Sequence, residues 1–273
     1  MVSIDSGAMK GFTLSMIVVA CMVVTSCGDR GIPMQAVESE SPSSEVVVQS
    51  PEAVQSSPAP KVQPRGALVA SLPEHEVYMY GEESVGVTLQ VGDRSRHFDW
   101  VYMTPRQIEP VMEVNDYDGD GEDELSIVLY VGSGTGISIE ELHIIELNEA
   151  TLEDHVFDNS VEQVSSKVSF NVEMDNGGIP TGEIRIDSDV YPIEFPLYNE
   201  EEQGKIYEQL IFGSIIGFYT VEGQLKARFG AGVHYEQWVM PEYIGDIIAD
   251  VTYEGGAFRM SNYTFEPDVS ITN

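Results

Sequence analysis

Residues 111–131 read VMEVNDYDGDGEDELSIVLYV. Two short apolar runs, Val111–Val114 and Leu125–Val131, flank an acidic loop that contains two glycines. Short runs rich in β-branched residues and bounded by turn residues are typical of strands. The stretch therefore predicts two strands joined by a tight loop, and the surrounding sequence has the same texture.

A hairpin is predicted just before this stretch. Residues Val85–Val91 alternate between apolar and polar or small side chains, Gly92 and Asp93 form a turn signal, and Arg94–Trp100 returns as a partner strand. Further strand candidates are residues 142–147, 170–174, 182–186, 189–195, 211–221, 224–229, 247–253 and 257–262.

Two short helices are predicted, at Ser160–Ser169 and at Asn199–Gln209, the second starting at an asparagine and rich in glutamate in its first turn. Many short strands with few helices indicate a mainly β fold. We expect an antiparallel β-sandwich or a partial propeller-like sheet domain with one to three short helices, and the pattern leaves both arrangements open.

The acidic loop has the composition of a calcium site. Carboxylates stand at its positions one, three, five and nine, which are Asp116, Asp118, Asp120 and Glu124, and Gly121 stands at position six. Ca²⁺ is a hard cation that takes six to eight oxygen ligands at about 2.3–2.6 Å, and glycine permits the bend that aims such ligands inward. Without a cation the clustered charges repel one another. An acidic hairpin turn without an ion is the alternative.

The residues around the acidic loop distinguish it from an EF-hand. An EF-hand needs a glutamate at position twelve and a helix on each side, whereas this chain has Ile127 there and predicted strands on both sides. The block resembles the calcium-binding loop of FG-GAP repeats, the integrin-α or VCBS-type pattern DxDGDGxxD/E followed by an apolar strand. The resemblance covers residues 111–136 in a single copy, which argues against a complete seven-bladed propeller.

The resemblance implies a ligand set for calcium. Side-chain oxygens would come from Asp116, Asp118, Asp120 and Glu124, and the backbone carbonyl of Glu122 would add another oxygen. Asp123 would point toward solvent. A bound calcium in such a loop is more often structural than catalytic.

The N-terminus predicts export and lipid anchoring. Lys10 precedes an apolar run, residues 12–24, that is short for a transmembrane span and long enough for a signal peptide. The run ends in Val24-Thr25-Ser26-Cys27, which resembles a bacterial lipobox. The resemblance implies that residues 1–26 are a lipoprotein signal peptide and that Cys27 is lipidated, which would place the protein on the extracytoplasmic side of a bacterial cell membrane. An ordinary signal peptide or an uncleaved anchor is the alternative, and either Met1 or Met9 can be the start.

Cysteine use limits the chemistry of the mature chain. The two cysteines are Cys21, inside the leader, and Cys27. A mature chain with one acylated cysteine has no internal disulfide, no cysteine-ligated zinc and no cysteine nucleophile.

Composition divides the remainder into a tether and a domain. Residues 27–66 carry the lipidated cysteine followed by a Pro/Ser/Glu-rich stretch without strand or helix periodicity, which predicts a disordered tether. Residues 67–273 are expected to form a single extracytoplasmic β domain.

The net charge argues against nucleic acid and anionic lipid as partners. The chain has 13 Lys and Arg against 46 Asp and Glu, a formal net charge of -33. Such a surface repels phosphate backbones and anionic lipid, so we expect no nucleic-acid partner. Cation binding, or tolerance of a saline or alkaline exterior, fits the negative charge better than these partners do. The alternative is that the acidic surface only keeps the protein soluble.

The sequence contains no recognisable catalytic motif. Its five histidines include no HExxH pair, but Glu141 and His143 would share a face of one strand, which fits either a metal or acid–base pair or a hydrogen-bonded surface histidine. Residues 132–136 are expected to form a flexible glycine-rich loop. Aromatic residues near the C-terminus fit a β core or a ligand platform.

Three functions remain open at this point. The first is a non-enzymatic, calcium-stabilised β domain, anchored at the membrane through Cys27, that serves as a binding, adhesion or scaffolding module for an unknown extracellular ligand or protein. The second is a secreted envelope-acting hydrolase of glycan or peptide that uses calcium structurally. The third is a structural envelope protein without a small ligand.

Overall fold

Strands dominate the part of the chain that the structure describes. The computed structural model describes residues 66–82, 86–148, 151–157 and 159–268. Within these ranges there are sixteen strands and two α-helices, so the prediction of a mainly β fold with one to three short helices is confirmed. The predicted signal peptide, Cys27 and almost all of the tether lie outside the described residues.

The longest connection between these elements joins β4 to β5. Their bounds are β1 Ala67–Leu72, β2 Val77–Glu82, β3 Gly86–Val91, β4 Arg94–Phe98, β5 Val111–Asn115, β6 Glu124–Gly134, β7 Ile137–Glu146, β8 Asp154–Val156, α1 Ser160–Lys167, β9 Val168–Met174, β10 Pro180–Ile186, β11 Asp189–Glu194, α2 Glu200–Gln203, β12 Ile206–Ile211, β13 Ile215–Val221, β14 Gln224–Tyr235, β15 Glu242–Glu254 and β16 Ala257–Pro267.

The strands form three sheets. The first has the order β1-β2-β3-β4 and the second the order β11-β10-β9. The third and largest has the order β16-β15-β14-β13-β7-β6-β5, with β12 paired to β14 and β8 paired to β7. The pairs described are antiparallel except for β13 and β7, where Ile215 and Ile216 lie beside Ser138 and Ile139 in parallel.

One core lies between the four-stranded sheet and the large sheet. Met79 and Leu89 from the former, and Leu125 and Ile127 from β6, are completely buried in a shared apolar cluster. The predicted alternation of β3 is confirmed, because Val87, Leu89 and Val91 all face this cluster. Facing sheets that bury a common apolar layer are sandwich packing.

A second core is shared by the large sheet, the three-stranded sheet and α1. Side chains of β7 alternate between the two cores, so Leu142 and Ile144 join this second cluster while Ile145 joins the first. Ile184 from β10 and Val164 from α1 are completely buried in the second cluster. Many of the C-terminal aromatic residues, such as Phe229, are buried there as well. Of the two roles considered for them, a β core and a ligand platform, these residues have the first.

The second predicted helix is wrong beyond its first turn. Asn199 does start it, since its side chain accepts a hydrogen bond from the Glu201 N–H, but the helix ends at Gln203. Gly204 follows with φ of +68°, a conformation that ends a helix and that glycine adopts without strain. The chain then enters β12, where Ile206 and Leu210 are buried.

The glycine-rich stretch is also different from the expectation. Residues 132–134 belong to β6, and the loop is reduced to a two-residue turn at Thr135 and Gly136. Gly132 faces the Ile139 side chain of β7 so closely that an added Cβ would lie 3.1 Å from the Ile139 Cβ. A small residue is therefore needed there for close strand pairing rather than for a flexible loop.

A polar contact joins the two sheets that form the first core. Trp100, in the connection after β4, stacks on His143 with ring centroids 4.0 Å apart. The Trp100 Nε1–H donates to Asp154 Oδ2 at 3.2 Å, and His143 Nδ1 lies 3.0 Å from the same oxygen. His143 is 8% exposed, so it is a buried residue and not the surface histidine considered from the sequence. Its Nε2 lies 3.9 Å from Glu141 Oε2, which places the two side chains on one face as expected.

Loss of the Trp100 ring should destabilise the fold. Trp100→Ala removes the stack on His143 and the bond to Asp154, and we expect a loss of about 2–3 kcal/mol of unfolding free energy, below the range for a fully buried tryptophan. Urea denaturation measures it. Trp238→Ala is the control, because Trp238 is 40% exposed and its removal should cost less than about 1 kcal/mol. Equal losses for the two variants would contradict the role of Trp100.

Candidate metal centre

The acidic loop is held at both ends by paired strands. It begins after Asn115, the last residue of β5, and ends at Glu124, the first residue of β6, and these two residues are register partners. The Asn115 side-chain amide donates to the Gly223 carbonyl at 2.8 Å, which ties the base of the loop to the turn between β13 and β14. The eight intervening residues must therefore close a narrow gap, and this brings their side chains together.

Three carboxylates converge in the loop. One oxygen each from Asp116, Asp118 and Asp120 lies within 4.8 Å of the others. Two ligands on opposite sides of a calcium ion, each about 2.4 Å from it, are separated by about the same distance. The three aspartates that the sequence singles out are thus spaced so that a single ion of calcium's size reaches all of them.

Backbone N–H groups turn the loop around these carboxylates. Asp116 accepts from Gly119 N at 2.7 Å and from Gly121 N at 3.1 Å, and Asp118 accepts from Asp120 N at 2.9 Å. Gly119 and Gly121 have φ of +82° and +93°, so the expected bend at Gly121 is present. An added Cβ on either glycine would meet nothing within 4 Å. Another residue at these positions would therefore be disfavoured only by the strain of the left-handed backbone conformation.

Glu124 lies beneath the loop and is completely buried. Its Oε2 accepts from Tyr117 N at 2.6 Å and from Asp118 N at 3.2 Å, which directs the carboxyl group toward the first turn of the loop. Its Oε1 is buried with no hydrogen-bond partner in the described structure. A buried carboxylate oxygen without a partner is costly in water-free surroundings, and a cation would satisfy it.

The environment of Glu124 favours its protonated form when no cation is present. Burial raises its pKa from 4.5 to about 7, against the opposing effect of the N–H groups of Tyr117 and Asp118. The negative charges of Glu146 and Asp118 raise the pKa further. A cation placed among these groups would reverse the balance, because it stabilises the ionised carboxylate.

The other predicted ligands are placed as follows. Glu124 is outside the group of three oxygens that meets the 4.8 Å spacing among the described residues. Glu122 is exposed and its N–H donates to Asp120 Oδ1 at 2.8 Å, while the role of its carbonyl stays a prediction. Asp123 is exposed, as expected for a side chain directed to solvent. The donors that are present are all oxygens, which suits a hard cation.

Sequence reasoning missed two residues beside the loop. Glu146, the last residue of β7, is the register partner of Glu124, and its side chain is only 12% exposed. His155 on β8 brings its Nε2 to 3.0 Å from Glu146 Oε1. The sequence offers as a signal only a glutamate at the end of an apolar strand, because the register that places it opposite Glu124 is set by long-range pairing.

The pKa of Glu124 has a measurable consequence in the ion-free protein. The folded-state pKa of about 7 lies above the ordinary 4.5, so the stability contributed by the protonated group is present at low pH and is lost as pH rises from about 4.5 through about 7. Glu124→Gln mimics the protonated group at every pH. In excess chelator, wild type should therefore lose more stability than the variant between pH 5 and pH 8, by a difference on the order of 3 kcal/mol.

Urea denaturation at intervals across this pH range measures the difference. The comparison between the two proteins removes the contribution of titrating groups that do not interact with Glu124. Parallel pH profiles for wild type and Glu124→Gln would show that Glu124 titrates as an ordinary carboxyl group.

Comparison of the chain with protein-family models, with curated proteins and with solved structures finds no match. Among the described residues, no helix has both the length and the apolar character that a membrane span requires. The candidate metal centre therefore stands on the geometry of this chain, namely on three aspartate oxygens within 4.8 Å of one another and on the unpartnered Oε1 of Glu124.

Proposed function

We propose that this chain is a lipid-anchored protein on the extracytoplasmic side of a bacterial cell membrane, and that calcium stabilises its β domain. The domain would serve as a binding, adhesion or scaffolding module. The convergence of Asp116, Asp118 and Asp120 above the buried Glu124 is the observation that carries this proposal. The lipobox-like sequence that ends at Cys27 supports the anchoring.

The donor set favours calcium over other common cations. Zinc and copper sites use histidine or cysteine, whereas the converging donors here are carboxylate oxygens. Mg²⁺ has bonds of about 2.0–2.1 Å and keeps much of its water, so it rarely binds in an all-protein loop. A loop whose three carboxylate oxygens lie within 4.8 Å of one another suits the longer bonds and larger coordination number of Ca²⁺.

Calcium would act on the fold through charge. The loop places several carboxylates near one another in a chain of net charge -33, and part of the cluster is buried. A divalent cation removes this repulsion and holds the β5–β6 connection in one conformation. Calcium sites of extracellular modules bind with dissociation constants of about 10⁻⁴–10⁻³ M, so a site of this class fills where calcium is abundant, outside the cell.

The surface beside the loop supports a binding role. An open cavity of about 400 Å³ lies next to the loop and shares Asn115 and Tyr117 with it. Carboxyl, imidazole and hydroxyl groups from Glu113, His75 and Thr220 also line this cavity. An open cavity lined by these polar groups is accessible to a polar ligand.

Calcium should raise the thermal stability of the purified full-length chain in detergent. At a calcium concentration about 100 times the dissociation constant, binding adds about 2.7 kcal/mol of unfolding free energy. For a domain of this size the melting temperature should rise by about 5–10 °C relative to excess chelator. The double variant Asp118→Ala, Asp120→Ala should lose this rise, as measured by circular dichroism.

Asp123→Asn is the matched control for this experiment. It removes one negative charge from the same loop at an exposed side chain that is not a predicted ligand, so the calcium-dependent rise should persist. A wild-type protein whose melting temperature does not respond to calcium would contradict the proposed calcium site. A rise that survives in the double variant would place calcium elsewhere on the chain.

The anchor can be tested separately in bacterial cells. Cys27→Ser removes the acceptor of the acyl chains, so the protein should no longer incorporate a radiolabelled fatty acid. Cys21→Ser is the control, because Cys21 lies within the predicted signal peptide and its loss should leave the incorporation unchanged. Equal incorporation by wild type and Cys27→Ser would contradict lipidation at Cys27.

A further inference from the structure

Two glutamates face each other where β6 and β7 meet the acidic loop. Glu124 and Glu146 are direct cross-strand partners, so their side chains lie on the same face of the large sheet. Glu124 is completely buried and the Glu146 side chain is 12% exposed. Like charges directly opposite each other destabilise a sheet, and burial increases their repulsion.

The carboxyl group of Glu124 in this pair is only partly satisfied. Glu124 Oε1 is buried without a hydrogen-bond partner, and its Oε2 already accepts from two N–H groups of the loop. Glu146 belongs to a different strand and is linked to the acidic loop through its cross-strand partner Glu124, which accepts from the Asp118 N–H.

We propose that Glu146 is a further ligand of the divalent cation held by the acidic loop, supplied by β7 and paired with Glu124. This inference rests on the proposed calcium site and adds to it a residue that lies outside the loop sequence. It accounts for one buried and one largely buried acidic side chain on adjacent strands, because the cation that the aspartates attract also neutralises the glutamates. Neither glutamate belongs to the three-aspartate group, so the proposal requires that both side chains turn toward the cation when it binds.

The same assignment gives the cation a link to the C-terminal hairpin. His155 Nε2 lies 3.0 Å from Glu146 Oε1, and the His155 ring packs edge-on against Phe258 at a centroid distance of 5.9 Å and against Tyr253 at 6.4 Å. These two aromatic residues belong to β16 and β15. A cation that engages Glu146 thus acts on β8 and on the final hairpin as well as on the β5–β6 loop.

The test is calcium titration by isothermal calorimetry of the full-length chain in detergent, at pH 8. Glu146→Gln keeps the size of the side chain and removes its charge, and we expect calcium affinity to fall by about 10–100-fold, the range seen when a supporting carboxylate of a metal site is lost. Glu146→Asp keeps the charge on a shorter side chain and should restore part of the affinity. Glu141→Gln is the matched control, because Glu141 is on the same strand with a side chain that is 55% exposed and on the opposite face.

Folding of the variants is checked in excess chelator. Glu146→Gln relieves the repulsion from Glu124, so its melting temperature without calcium should equal or exceed that of wild type. Weaker binding together with an unchanged or higher ion-free melting temperature supports the assignment of Glu146.

The outcomes separate this inference from the proposed function. Equal calcium affinity for wild type and Glu146→Gln would overturn the role of Glu146 and leave the loop site standing. An equal loss of affinity in Glu141→Gln would also overturn it, because the effect would then be one of general charge. Absence of calcium binding by wild type would overturn the proposed site and the role of Glu146 together.

Discussion

The antiparallel pairing of β6 with β7 is the constraint on which both cores and the candidate metal centre depend. Its register places Leu125, Ile127 and Ile145 on the side of the four-stranded sheet, and Leu142 and Ile144 on the side of the three-stranded sheet. A slip of one residue would exchange the two faces and bury polar side chains in both cores. The register is fixed by apolar burial, and the position of the acidic residues at the strand ends follows from it.

This pairing also explains why negatively charged side chains repel one another at the candidate metal centre. The register that buries the apolar residues brings Glu124 against Glu146, at the end of the strands from which the loop of aspartates departs. Neither glutamate can leave the face it shares with the core without moving the strands, so the repulsion is relieved by protonation or by a cation. A net charge of -33 makes relief by a cation the more general solution, because it lowers the local field for every neighbouring carboxylate.

Local sequence patterns correctly predicted the elements that depend on residues close together in the chain. The hairpin of β3 and β4, the strands on either side of the acidic loop and the bend at Gly121 depend on residues close to one another in the chain. The parallel contact of β7 with β13, and the burial of His143 between Trp100 and Asp154, join residues far apart. Periodicity reports which side of a strand is apolar and carries no information about its neighbours, so Glu146 could not be assigned to the site from sequence.

The two features that suggest a function are the predicted leader and the acidic loop. In the proposed function they act at different stages but concern the same compartment, the exterior of the cell. In the proposed function the leader determines where the chain resides, and the loop determines whether the domain reaches its full stability there. A loop of weak, extracellular-type affinity would remain largely ion-free where calcium is scarce, and the buried glutamates would then oppose folding. In this proposal the cation would remove this opposition after export. Coupling stability to the exterior in this way requires a buried carboxylate next to the cation, and Glu124, buried at the end of the partly exposed acidic loop, is the candidate for that role.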